Sequence, residues 1–168
     1  MNKVSIWSTS VNARDSTLNL LDMASIQISI HINVSPQVLW EELRHIDRHV
    51  NWMNDAVSIT FLSPATEDVG TQFSCLTKVG PFKTTDQMTI TQWEENKTMG
   101  VEHTGLVKGT GTFHIDPHGE GSTITWKESL SFPLFFLGPL GALAATPLLT
   151  YIWKKNLTNL KNIVERHS

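Results

Sequence analysis

At 168 residues, 40% of them hydrophobic, the chain has the length of one ordinary domain and can bury about two-thirds of its unfolded surface without a covalent staple. A net charge of −3, from 13 basic and 16 acidic side chains, gives no basis for a nucleic-acid surface, so no nucleic-acid partner is expected. The single cysteine, Cys75, excludes an internal disulfide and a cysteine-based zinc finger, and fits a reducing compartment.

Residues 1–24 are rich in Ser, Thr and Asn and read as a flexible extension, with Met23 as an alternative start. They lack a basic start followed by an apolar core, so no secretory signal is expected and a cytoplasmic location is. The sequons at Asn33, Asn96 and Asn156 are then chance matches, because glycosylation requires secretion.

Residues 25–168 read as a single domain. From Ile26 to Val34 isoleucine and valine alternate with polar residues, the pattern of a half-buried strand. Ser35 is placed to cap a short helix with Pro36 at its first position, and Asp47 to cap a second one through Val50, Trp52 and Met53. Six strand-like segments follow: Val57 to Leu62, Thr71 to Val79, Phe82 to Trp93, Thr98 to His103, Val107 to Ile115, and Ser122 to Phe132. Short turns such as Ser63-Pro64, Gly80-Pro81 and Asp116-Pro117-His118-Gly119 divide them, which predicts an antiparallel meander.

The stretch from Ser129 to Trp153 carries no charged side chain. Within it Leu140, Leu143, Ala144, Pro147, Leu148, Tyr151 and Ile152 recur at helical steps, predicting an amphipathic helix that starts near Pro139. Such a run also has the length of a transmembrane span, which would make the protein membrane-anchored through residues 129–153. The packed helix is preferred, because the strands upstream present one apolar face and no other element is long enough to cover it.

Strand, two short helices, a series of strands and a long final helix is the order found in the helix-grip proteins, and particular residues match. They are the strand-to-helix entry IHINVSPQVLWEEL, the Asn51-Trp52 pair and Gly70-Thr71-Gln72-Phe73, followed later by Thr123-Ile124-Thr125-Trp126 and Leu157-x-x-Leu160-Lys161. Over roughly Ala24 to Glu165 the chain resembles the superfamily that joins steroidogenic-type lipid-transfer domains, pollen allergens, polyketide cyclases and coenzyme Q-binding proteins. The glycine-rich loop of the allergen branch is absent, so the resemblance points to the polyketide cyclase/dehydrase and lipid-transport group. It implies an α+β fold in which a curved antiparallel sheet of about seven strands grips the C-terminal helix and encloses an apolar cavity. It implies binding or transport of a lipid, quinone, sterol or polyketide-like molecule there. No cofactor is implied, and the oligomeric state is left open.

Strand parity nominates the cavity wall: Met88, Met99, Val101, Phe113 and Trp126 from the strands, with Leu143, Leu148 and Tyr151 from the helix. Three titratable groups, Asp86, His103 and Glu128, share that inward face. A carboxyl group and an imidazole on one cavity wall can exchange a proton, which suits the enolisation and aldol steps of a cyclase or dehydratase. The competing reading is structural: strand ends admit water, and Glu128 can hydrogen-bond a helix end. Trp93 breaks the parity of its strand and signals a bulge.

Glu41, His45 and His49 stand four residues apart, but Asp47 interrupts their helix, and no metal site is assigned. Gly105, Gly109 and Gly111 lack the ending of a phosphate loop and read as sites of bending or close approach. Cys75 reads as a small core residue, and no nucleophile elbow is present. Phe132, Phe135, Phe136 and Leu137 fall in the connection before the helix. Apolar residues in a loop mark a portal, and here also a transient membrane contact that would make the protein peripheral to a bilayer.

Overall fold

The computed structural model describes residues 23–131 and 138–166. Seven strands form one antiparallel sheet: β1 (Met23–Ile32), β2 (Ala56–Phe61), β3 (Gln72–Val79), β4 (Phe82–Glu94), β5 (Thr98–Thr104), β6 (Lys108–His118) and β7 (Gly121–Ser131). β2 to β7 lie side by side as a meander, while β1 closes the far edge against β7. The helices are α1 (Pro36–Leu43), a 3₁₀ turn (Ile46–Asn51) and α2 (Gly138–Val164). This is the expected α+β helix-grip architecture.

The local reasons are those the sequence carries. On β1, Ile26, Ile28 and Ile32 are buried while Gln27, Ser29 and His31 face water. The Ser35 hydroxyl accepts from the Val38 N–H, and Pro36 occupies a first-turn position that needs no donor. β1 begins at Met23, inside the segment read as an extension, and β6 runs three residues past its expected end at Ile115. The second predicted helix is the 3₁₀ turn. The register of β4 shifts between Ile90 and Gln92, and Gly100 opposite leaves room for Gln92. This bulge returns Trp93 to the inner side, where its ring meets Trp40 edge-on at 5.1 Å.

α2 lies along β1 and β7 and buries Trp153, Asn156, Leu157, Leu160 and Val164. Each fully buried leucine on this face contributes roughly 2 kcal/mol of transfer free energy. The seam is rotated from the expected stripe, because Leu148 and Tyr151 are exposed and Trp153 turns inward. Residues 147–153 are apolar on nearly every side, so periodicity alone does not choose the face. Partners choose it: Trp153 stacks on Trp126 at 5.2 Å, and the Asn156 side chain donates to Asp55 and accepts from the Asn54 N–H. Asn159 donates to the Trp52 carbonyl. Near the helix end, Glu165 accepts from the Asn33 backbone and amide. Among the described residues no helix is long and apolar enough to cross a membrane.

Candidate functional site

Between α2 and the concave face of the sheet lies a cavity of about 360 Å³, in the range of small-molecule sites. Phe73, Met88, Val101, Phe113, Trp126 and Leu130 line it from the sheet, Ile46 and Met53 from the 3₁₀ region, and Leu149 and Trp153 from α2. Phe82 and Leu148 line it while remaining exposed, and so mark its mouth, at the end of the sheet where the β3–β4 hairpin turns. Away from the mouth an aromatic series fills the space. Phe113 lies 4.9 Å from Trp126, and Trp52 meets both rings edge-on at 6.0 and 6.4 Å.

The polar residues of the wall are few. Glu128 and His103 come from strands separated by β6, yet Glu128 Oε2 and His103 Nε2 stand 3.6 Å apart, both buried and neither in a hydrogen bond. They meet because the β6 positions between them are glycines. Gly111 pairs with both Val101 and Glu128, and Gly109 with both His103 and Leu130. A Cβ on Gly111 would lie 2.8 Å from the Glu128 carboxyl carbon, so the missing side chain is the space the carboxylate occupies. The other carboxylate oxygen accepts from the Trp126 indole N–H at 2.9 Å, which fixes its orientation.

Asp86 uses the same device. A Cβ on Gly105 would lie 2.7 Å from Asp86 Oδ1, and that oxygen accepts from the Val107 N–H at 3.4 Å. Asp86 thus caps the β5–β6 turn from inside the cavity, while its other oxygen accepts from the Thr84 hydroxyl. Of the glycines read as sites of close approach, Gly105 and Gly111 make room for neighbouring carboxylates and Gly109 for the Ser129 carbonyl.

A family model described as polyketide cyclase/dehydrase and lipid transport matches residues 23–165. The chain belongs to this family. No curated protein sequence matches it. Among solved structures, a protein from Thermus thermophilus superposes with a TM-score of 0.75 at 14% identity, over 86% of this chain and 99% of that one. A START superfamily protein from Mycobacterium smegmatis gives 0.72 at 12% identity, with 86% and 99% covered. The di-domain aromatase/cyclase StfQ of the steffimycin biosynthetic pathway gives 0.74 at 11%, covering 92% of this chain and 54% of that one. At these identities the likeness is one of fold.

Within this polyketide cyclase/dehydrase family fold, Met88, Val101, Phe113, Trp126 and Leu148 of the expected wall line the cavity. Two expected wall residues do not. Met99 shares a face with Val101, but it lies two residues nearer the closed end and packs into the solid core. Tyr151 is 66% exposed, carried outward by the rotation of α2. The side chain of Leu143 and the expected portal residues Phe132, Phe135, Phe136 and Leu137 lie outside what the structure describes.

Glu41, His45 and His49, the four-residue series to which no metal site is assigned, differ in their surroundings. Glu41 pairs with Arg44 on the surface, while His49 is buried and donates from Nε2 to the Leu43 carbonyl at 2.7 Å. Burial holds the His49 pKa down at about 4, against the smaller opposing influences of that hydrogen bond and of Asp47. Cys75 lines the cavity beside Thr77, and burial raises its pKa, so it is a thiol at neutral pH. Sequence reasoning missed His49, Asp55, Leu149 and Trp153 as wall residues. The available signal was the spacing of Leu149, Trp153, Leu157, Leu160 and Val164, an unbroken helical stripe that continues into the polar half of α2.

Proposed function

We propose that this protein binds an apolar small molecule of the lipid, quinone, sterol or polyketide class in the cavity and serves as its carrier, in the cytoplasm. The observation that carries the reading is a ligand-sized void, between α2 and the sheet, whose wall is predominantly apolar. Burying an apolar ligand there supplies the driving force, and the few polar groups orient it. Family membership and the fold shared with a START superfamily protein support the same reading.

The test is native mass spectrometry of protein purified from its own host, followed by extraction of any bound molecule, together with uptake of the neutral dye Nile red. Val101→Trp adds an indole to the wall, and we expect it to weaken dye uptake at least about tenfold with a stability cost of about 1–3 kcal/mol. Uptake unchanged in that variant would place binding elsewhere.

A second reading is supported by Glu128 and His103, an acid and a base on the cavity wall whose facing atoms, Oε2 and Nε2, are in no hydrogen bond. In that reading the protein is a cyclase or dehydratase, and the pair moves a proton to and from a polyketide-like substrate. Two of the structural relatives are described as aromatase/cyclases. Glu128→Gln keeps an acceptor for the Trp126 indole but removes the acid. Turnover in a screen of polyketide-like substrates should then fall about 10²- to 10⁴-fold while Nile red uptake holds. Equal turnover in the two proteins would eliminate this role for Glu128.

A further inference from the structure

The charges of this acidic protein are unevenly paired. Away from the mouth, Arg44 pairs with Glu41 and Glu67, Arg48 with Glu42, Lys97 with Glu94, and Lys161 with Glu165, while Lys127 and Arg166 are exposed and stand apart from one another. Toward the mouth, Lys78 and Lys83 flank the β3–β4 tip, Lys108 follows the β5–β6 tip, and Lys154 and Lys155 lie on α2. All five are exposed, and among the described residues none forms an ion pair. Against them stand Glu102, which is exposed, Asp55, whose carboxylate accepts from Asn156, and Asp86, which is buried beneath the second tip. Lys78 and Lys83 are direct register partners, an arrangement of like charges that weakens a hairpin and needs a reason outside the fold.

The same end carries exposed apolar side chains. Phe82 is 60% exposed at the first tip, Leu106 41% at the second, and Leu148 and Tyr151 stand out from α2. Tyr151 is followed three and four residues later by Lys154 and Lys155, so aromatic ring and charges share one helical face. The Leu106 tip is braced from below, because the Val107 N–H is bonded to Asp86.

We infer that the cavity mouth docks on an anionic lipid membrane, the apolar tips entering the interface and the five lysines resting among the headgroups. Charge complementarity selects this partner. A neutral bilayer would leave the unpaired lysines without a role, whereas each lysine near an anionic surface strengthens binding about fivefold. Docking in this orientation puts the mouth against the lipid, so an apolar ligand crosses from bilayer to cavity without meeting water. The inference rests on the carrier reading, because the surface surrounds the mouth of that cavity.

The test is co-sedimentation of the whole protein with phosphatidylcholine vesicles, with and without phosphatidylglycerol, alongside Nile red uptake in vesicle-free solution. Wild type should bind the anionic vesicles and release them as salt is raised. Lys78→Gln with Lys83→Gln should weaken that binding about 25-fold and leave dye uptake unchanged, and Lys97→Gln should change neither. Leu106→Ser with Tyr151→Ser should reduce binding at every salt concentration. Equal binding to both vesicle types, no binding, or full binding by the double-glutamine variant would overturn the docking. Wild type that takes up no dye would instead overturn the carrier reading, whichever way the vesicle results fall.

Discussion

Gly109→Ala will destabilise the domain by about 3 kcal/mol, far more than one added methyl group ordinarily does. Gly109 has φ +149°, and a Cβ there would overlap the carbonyl oxygen of Ser129 and lie 2.9 Å from its carbonyl carbon. The obstacle is the backbone of the adjacent strand, so no side chain can rotate away to relieve it. Relief requires β6 and β7 to separate locally, which sacrifices ladder hydrogen bonds worth about 1 kcal/mol each on top of roughly 1–3 kcal/mol of backbone strain. Gly119 is the control. It has φ +60° but nothing within 4 Å of a built Cβ, so alanine there should cost only about 1–2 kcal/mol. Urea unfolding of both variants decides the matter. Equal, small losses would show that the β6–β7 pairing yields easily at Gly109.

The second large effect is one of pH. His49 is buried and neutral, with a folded-state pKa of about 4 against about 6.5 in the unfolded chain. Between these values the unfolded state binds the proton and the folded state does not, so stability rises with pH. The contribution is complete above about pH 6.5 and is lost as pH falls toward 4; it amounts to about 3 kcal/mol. His49→Gln cannot titrate, and its amide can still donate to the Leu43 carbonyl. Unfolding free energies at pH 7.5 and 4.5 should therefore converge between wild type and variant as the solution is acidified. A constant gap between them would mean that folding leaves the pKa of His49 unshifted.

The architecture was legible because several signals agreed: the Ile26 to Ile32 alternation, the Ser35-Pro36 helix start, and turn residues between strands. Glu128, His103 and Asp86 could be assigned to one inner face by parity, since they precede or lie clear of the β4 bulge. What parity does not supply is contact across an intervening strand. Glu128 and His103 meet only because Gly109 and Gly111 leave β6 bare, and that depends on a register the sequence does not display. The facing of α2 was illegible for a different reason. Leu148, Tyr151, Ile152 and Trp153 are all apolar, so the rotation is settled by Asn156, a polar residue buried with Asn54 and Asp55 as partners from a distant part of the chain.

The placement of β1 against β7 governs how the chain reaches its folded state. Ile28 pairs beside Trp126 and Ile30 beside Ile124, roughly a hundred residues later. The first strand to leave the ribosome is therefore among the last to find its partner, and its isoleucine face stays uncovered until β7 and α2 have been made. Closing so long a loop is entropically costly, which places this domain among slow, non-local folders rather than fast helical ones. During that wait β1 is a bare strand edge, and the alternating Ser25, Gln27, Ser29 and His31 are what keep its other face soluble.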